Sequence, residues 1–137
     1  MNPMDKVLLV DDDPIFLDRL REELQKYVGQ FRLVTASNGA EALEILGKER
    51  ISVLITDLDM PQMNGLELLA HMRKHRPQIP CVVMTEPKTP DVENKADRDS
   101  IFRYIAKPFG AAELFVLIME GLERLDEGLF WREHRNK

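Results

Sequence analysis

Apolar positions along the chain alternate between two spacings. Short continuous runs of strand length stand at Lys6–Val10 (KVLLV), Phe31–Ala36, Ile51–Thr56 (ISVLIT), Cys81–Met84 (CVVM) and Ile101–Ala106. Between them the spacing becomes helical. Pro14–Val28 sets out Ile15, Phe16, Leu17, Leu20, Leu24 and Val28 on a helical repeat. Pro14 suits the first turn, where its missing N–H is not needed. Ala40–Glu49 carries Ala42, Leu43, Ile45 and Leu46, with Asn38 placed to cap it. Leu66–Lys74 carries Leu66, Leu69, Ala70 and Met72. A short helix is expected at Asp91–Arg98, inside a charged stretch, Glu86–Ser100, that holds Pro87 and Pro90. The longest helix is expected from Ala111 to Leu125 and beyond, with Leu114, Leu117, Ile118, Leu122 and Leu125 facing inward. Pro61, Asn64-Gly65, Pro77 and Pro80 punctuate the loops.

Five strand–helix alternations predict a parallel sheet covered on both faces, hence a three-layer α/β domain. The near-continuous apolar strands fit burial from both sides. The 137 residues suit one domain, and a net charge of −5 argues against general nucleic-acid binding. The single cysteine, Cys81, excludes an internal disulfide framework and a four-thiolate zinc site. No apolar run approaches the roughly 20 residues that span a bilayer. MNPMDK runs into VLLV without a signal-peptide pattern. The expectation is a cytoplasmic domain without membrane or nucleic-acid partners.

In an open parallel sheet, ligands bind beyond the carboxyl ends of the strands. Asp11, Asp12 and Asp13 follow the first strand, Asp57 the third, Thr85 the fourth and Lys107 the fifth. Carboxylates sharing a cleft repel one another and call for a cation, and hard oxygen ligands suit Mg²⁺ or Mn²⁺. A lone ammonium and a hydroxyl beside them suit a phosphoryl group, and an Asp carboxylate can be the nucleophile that accepts it. Taken singly, each residue could equally be a helix cap or a solvated charge. Four strand ends converging on one chemistry favour the site.

Those residues lie in segments that resemble the receiver domain of bacterial two-component response regulators: VLLVDDDP at 7–14, VLITDLDMPQMNGLELL at 53–69, VVMTE at 82–86 and YIAKPF at 104–109. The matching segments cover essentially the whole domain in the right order. It implies a (βα)5 flavodoxin-like fold with strand order 2-1-3-4-5. It implies that Asp57 accepts a phosphoryl group from a sensor histidine kinase or phosphotransfer protein. Asp11 and Asp12 match the acidic pair that, with Asp57 and the backbone carbonyl of Asp59, holds Mg²⁺. Thr85 and Lys107 match the groups that contact the phosphoryl oxygens. Thr85 and Tyr104 match a switch that alters the face of the fourth helix, fifth strand and fifth helix. That face would serve an effector or output domain outside this chain, or a homodimer. Lys107-Pro108 is expected to be cis. The receiver unit is expected over residues 1–126, with 127–137 a helical extension or tail in which Leu129, Phe130 and Trp131 stand out.

Some positions depart from the family pattern. Glu86 follows Thr85 where a small residue is usual, Pro87 and Pro90 come next, and Ser100-Ile101 replaces Gly-Ala. Asp59 adds a second acid beside Asp57. Phosphoryl chemistry is therefore expected, with an altered lifetime and output face. Two rival readings stand beside this one. Asp57-Leu58-Asp59 resembles the DxD motif of haloacid dehalogenase phosphatases, although that motif follows a first strand in a longer chain. A phosphorylation-independent degenerate scaffold is the other. His71 and His75, four apart, read as a basic helix end rather than a metal pair, and Cys81, Met72 and Met84 read as core.

Overall fold

The computed structural model describes residues 5–135 apart from 28, 61, 62, 88 and 90, with side chains described as far as 125. Val28, Pro61 and Pro90, and the side chains of Leu129, Phe130 and Trp131, lie outside the described residues. Among those described, the strands are β1 (Lys6–Val10), β2 (Arg32–Ala36), β3 (Val53–Asp57), β4 (Cys81–Thr85) and β5 (Ile101–Ala106). The helices are α1 (Pro14–Glu23), α2 (Gly39–Lys48), α3 (Gly65–His75), α4 (Lys95–Ser100) and α5 (Ala111–Arg135). The strands form one parallel sheet in the order β2-β1-β3-β4-β5.

Strand side chains alternate between the two faces, and each face has its own core. Val7 and Leu9, Val53 and Ile55, and Val82 and Met84 pack under α1 and α5 with Leu17, Leu20, Leu114, Ile118 and Leu122. Leu8 and Val10, Leu54, and Cys81 and Val83 pack under α2 and α3 with Ala42, Leu46, Leu68, Leu69 and Met72. Burial on both sides explains why β1, β3 and β4 read as unbroken apolar runs. The edge strands differ. β2 is only partly covered, and β5 exposes Arg103 and Tyr104.

Several element ends differ from the expected ones. α1 stops at Glu23, and Leu24–Tyr27 tightens into a 3₁₀ turn. Ile15, expected on the apolar stripe, is 80% exposed at the start of α1. α4 begins at Lys95 rather than Asp91, because Asn94 is the residue whose side chain accepts the first free N–H groups, from Ala96 and Asp97. Phe115, on the flank of α5, stacks on Tyr27 with ring centroids 3.8 Å apart and packs against the core. Among the described residues no helix is long and apolar enough to cross a membrane.

Candidate functional site

β1 and β3 are neighbours in register Val10↔Thr56, so Asp11 and Asp57 leave the sheet side by side. Carboxylate oxygens of Asp11, Asp12 and Asp57 all lie within 4.8 Å of one another. Asp11 and Asp57 are buried, while Asp12 is exposed. Backbone donors fix the two buried acids. The Asp13 N–H donates to Asp11 Oδ1 at 2.9 Å, and the Asp59 N–H donates to Asp57 Oδ1 at 3.1 Å.

Lys107 reaches the trio from the end of β5. Its Nζ stands 2.6 Å from Asp11 Oδ2, 3.3 Å from Asp57 Oδ2 and 3.5 Å from Glu86 Oε1. The Lys107 N–H donates to the Thr85 carbonyl at 2.8 Å, which ties the β5 exit to the end of β4. The Lys107–Pro108 bond is cis.

The electrostatics are unequal. Burial opposes the charge on Lys107, but the hydrogen bond from its ammonium to Asp11 and the charges of Asp11 and Asp57 outweigh it and raise its pKa. Burial also raises the Asp11 pKa, against the hydrogen bonds it accepts from Lys107 and Asp13. The ammonium is thus held charged among carboxylates that outnumber it. Three carboxylate oxygens in reach of one centre, with a surplus that one ammonium does not cancel, fit a hard divalent cation such as Mg²⁺.

Local sequence makes this edge possible. Asp13 caps α1, its Oδ1 accepting from Ile15 N at 3.0 Å and Phe16 N at 3.3 Å, with Pro14 opening the helix. Asn64 caps α3, and the Gly65 N–H donates to the Leu58 carbonyl at 3.1 Å. A Cβ on Gly65 would lie 2.1 Å from the Asp57 carbonyl oxygen, so only glycine lets α3 start against the strand end.

The carboxylates open into a cavity of about 200 Å³ lined by Asp12, Asp57, Asp59, Glu86 and Thr89. Thr85 and Tyr104 line a neighbouring groove of about 690 Å³, with Glu86 and Thr89 shared between the two. Tyr104 points outward, 52% exposed. The structure therefore gathers Asp11, Asp12, Asp57 and Lys107 tightly, and sets Thr85 and Tyr104 beside them.

Thr89 was not singled out by sequence. Its hydroxyl accepts from the Glu86 N–H at 2.7 Å, and its own N–H donates to the Glu86 carbonyl at 2.9 Å. Asp13, which from sequence alone could be either a helix cap or part of the site, is the cap of α1. Cys81 and the His71–His75 pair stand outside the carboxylate trio. Cys81 is buried, and burial pushes its thiol up to about 12. His71 and His75 stand with ring centroids 4.6 Å apart, where burial and the nearby His75 and Arg76 lower the His71 pKa.

Residues 7–119 match the family model described as the response regulator receiver domain. The transcriptional regulatory protein GlrR of Escherichia coli is 34% identical over 131 residues, covering 93% of this chain and 29% of that protein. The DNA-binding transcriptional regulator NtrC of Escherichia coli is 32% identical over 123 residues, covering 88% of this chain and 25% of that protein. The chain thus spans less than a third of these relatives. Among solved structures, a response regulator receiver domain protein from Clostridium thermocellum superposes with a TM-score of 0.78 at 28% identity, covering 88% of this chain and 96% of that one. The response regulator TrrA of Thermotoga maritima, in complex with Mg²⁺–BeF, gives a TM-score of 0.74 at 28% identity, covering 87% of this chain and all of that one.

Proposed function

Since the chain belongs to the response regulator receiver domain family, we propose that it is a phosphoryl-accepting signalling switch with Asp57 as the acceptor. The observation that carries the reading is the Lys107 ammonium bonded to both Asp11 and Asp57 at the edge of the carboxylate trio. The donor is a phosphohistidine on a sensor histidine kinase or phosphotransfer protein. An Asp57 carboxylate oxygen attacks phosphorus, the N–P bond breaks, and the imidazole takes up a proton. Lys107 stabilises the charge that grows on the phosphoryl oxygens, and Thr85 donates a hydrogen bond to them.

Asp11, Asp12, Asp57 and the backbone carbonyl of Asp59 would hold Mg²⁺, which supplies charge neutralisation to the transferred group. Once Asp57 carries the phosphoryl group, Thr85 moves toward it and Tyr104 turns inward from its exposed position. The α4–β5–α5 face then presents a different surface to an effector or an output domain beyond this chain. The setting is cytoplasmic, and residues 1–126 form the receiver unit with 127–137 its extension.

Fluoroberyllate with Mg²⁺ mimics a phosphoryl group on a carboxylate, so amide NMR with and without it tests the switch. The expected result is shifts at Asp57, Thr85, Tyr104 and along α4, β5 and α5, all absent in Asp57→Asn. Shifts confined to the cavity would contradict the switch, and no shifts at all would point to the degenerate scaffold.

A further inference from the structure

The Lys107 ammonium meets a fourth neighbour that is not an acid. Its Nζ lies 4.4 Å from the centroid of the Phe16 ring, inside the range where an aromatic face attracts a cation. Phe16 is set by the site's own residues. Asp11 Oδ1 accepts from Asp13 N, Asp13 Oδ1 accepts from Phe16 N, and Asp11 Oδ2 accepts from Lys107 Nζ. The circuit closes where the Phe16 ring meets Lys107.

Its outer side is also held. Phe16 packs edge-on against Phe109 with centroids 5.8 Å apart and an interplanar angle of 87°. Phe109 is buried and follows Lys107-Pro108 directly. The Arg19 guanidinium approaches the same ring at 5.4 Å. A half-buried position needing only apolar bulk would serve as well with leucine. A ring against a nearly buried ammonium does something leucine cannot, since it replaces water without withdrawing favourable charge.

We propose that Phe16 is a positioning residue for Lys107. It confines the ammonium to the side of the site where Asp11 and Asp57 lie, ready for the phosphoryl oxygens. The reaction concerned is the phosphoryl transfer proposed above, and the inference rests on that reading.

The test uses Phe16→Leu and Phe16→Tyr in the full chain, with folding checked by thermal melts. First, the Lys107 side-chain NMR signals, assigned by their loss in Lys107→Arg, report the ring. They should lie upfield of the other lysines in the parent and in Phe16→Tyr, and return to ordinary positions in Phe16→Leu. Second, adduct formation from acetyl phosphate with Mg²⁺ should slow about fivefold in Phe16→Leu and recover in Phe16→Tyr. Unshifted Lys107 signals in the parent, or equal rates in parent and Phe16→Leu, would overturn the proposal. An Asp57→Asn control separates the two ideas. If no Asp57-dependent adduct forms in the parent, the acceptor reading and the role in transfer both fall, while the ring shift still decides whether Phe16 holds Lys107.

Discussion

Lys107 Nζ lies closer to Asp11 than to Asp57, 2.6 Å against 3.3 Å, so the ammonium leans on Asp11 rather than on the proposed phosphoryl acceptor. Removing that ammonium leaves Asp11 buried beside two other carboxylates with its compensation gone. In Lys107→Ala, measured by urea unfolding without divalent ions, stability should fall by about 2 kcal/mol. Adding Asp11→Asn to that variant should restore most of the loss. Equal stability of parent and Lys107→Ala would show that the pair is solvated rather than buried.

Asp12 stands exposed in the same trio and adds like charge to it. Asp12→Asn should therefore raise the melting temperature of the metal-free protein by about 2–4 °C. Mg²⁺ should raise the melting temperature of the parent, with EDTA reversing the effect, and should do little for Asp12→Asn. A metal response that survives the substitution would remove Asp12 from the ligand set.

Glu86 Oε1 lies 3.5 Å from Lys107 Nζ and lines the cavity, so under the proposed function it would compete with a phosphoryl group for the ammonium. Its backbone is fixed by the paired hydrogen bonds with Thr89. In Glu86→Ala an anionic donor meets less repulsion and water meets less obstruction. Adduct formation and decay should each quicken by about three- to fivefold, read by intact mass over time. Identical lifetimes in parent and variant would discard this role.

The free thiol supplies a pH test away from the site. Burial holds Cys81 at about 12 against an ordinary 9.0. The unfolded chain releases that proton first, so the stability Cys81 contributes is complete below pH 9.0 and is lost as pH rises toward about 12. Alkylation of native protein at pH 8 should be limited by unfolding, with a rate that rises in step with urea. Rapid alkylation in the absence of denaturant would place Cys81 at the surface.

Much of this was legible in the chain because burial leaves a pattern. β1, β3 and β4 are covered on both faces, and their apolar runs revealed both the strands and the carboxyl edge where Asp11, Asp57 and Thr85 emerge. Ile15 misled because an apolar residue in a helical segment need not share its buried face: two and five residues before Leu17 and Leu20, it stands on the opposite side of α1 and is exposed. The start of α4 depended on a cap at Asn94, a local hydrogen-bonding choice that competes with Asp91 in the same polar stretch. The approach of Phe16 to Lys107 could not be read at all, since it joins residues 91 positions apart across α1 and the β5 exit. The placement of Lys107 beside Asp11 and Asp57 was legible, because a lone basic residue after a strand is a chemical signal as well as a packing one.

The central claim is that Asp57 accepts a phosphoryl group, and intact mass spectrometry after incubation with acetyl phosphate tests it most directly. With Mg²⁺ present, the parent should gain a single phosphoryl increment. That increment should vanish in Asp57→Asn and on addition of EDTA, and should fall sharply in Lys107→Ala. An adduct that persists in Asp57→Asn, or no adduct in the parent, would contradict the account.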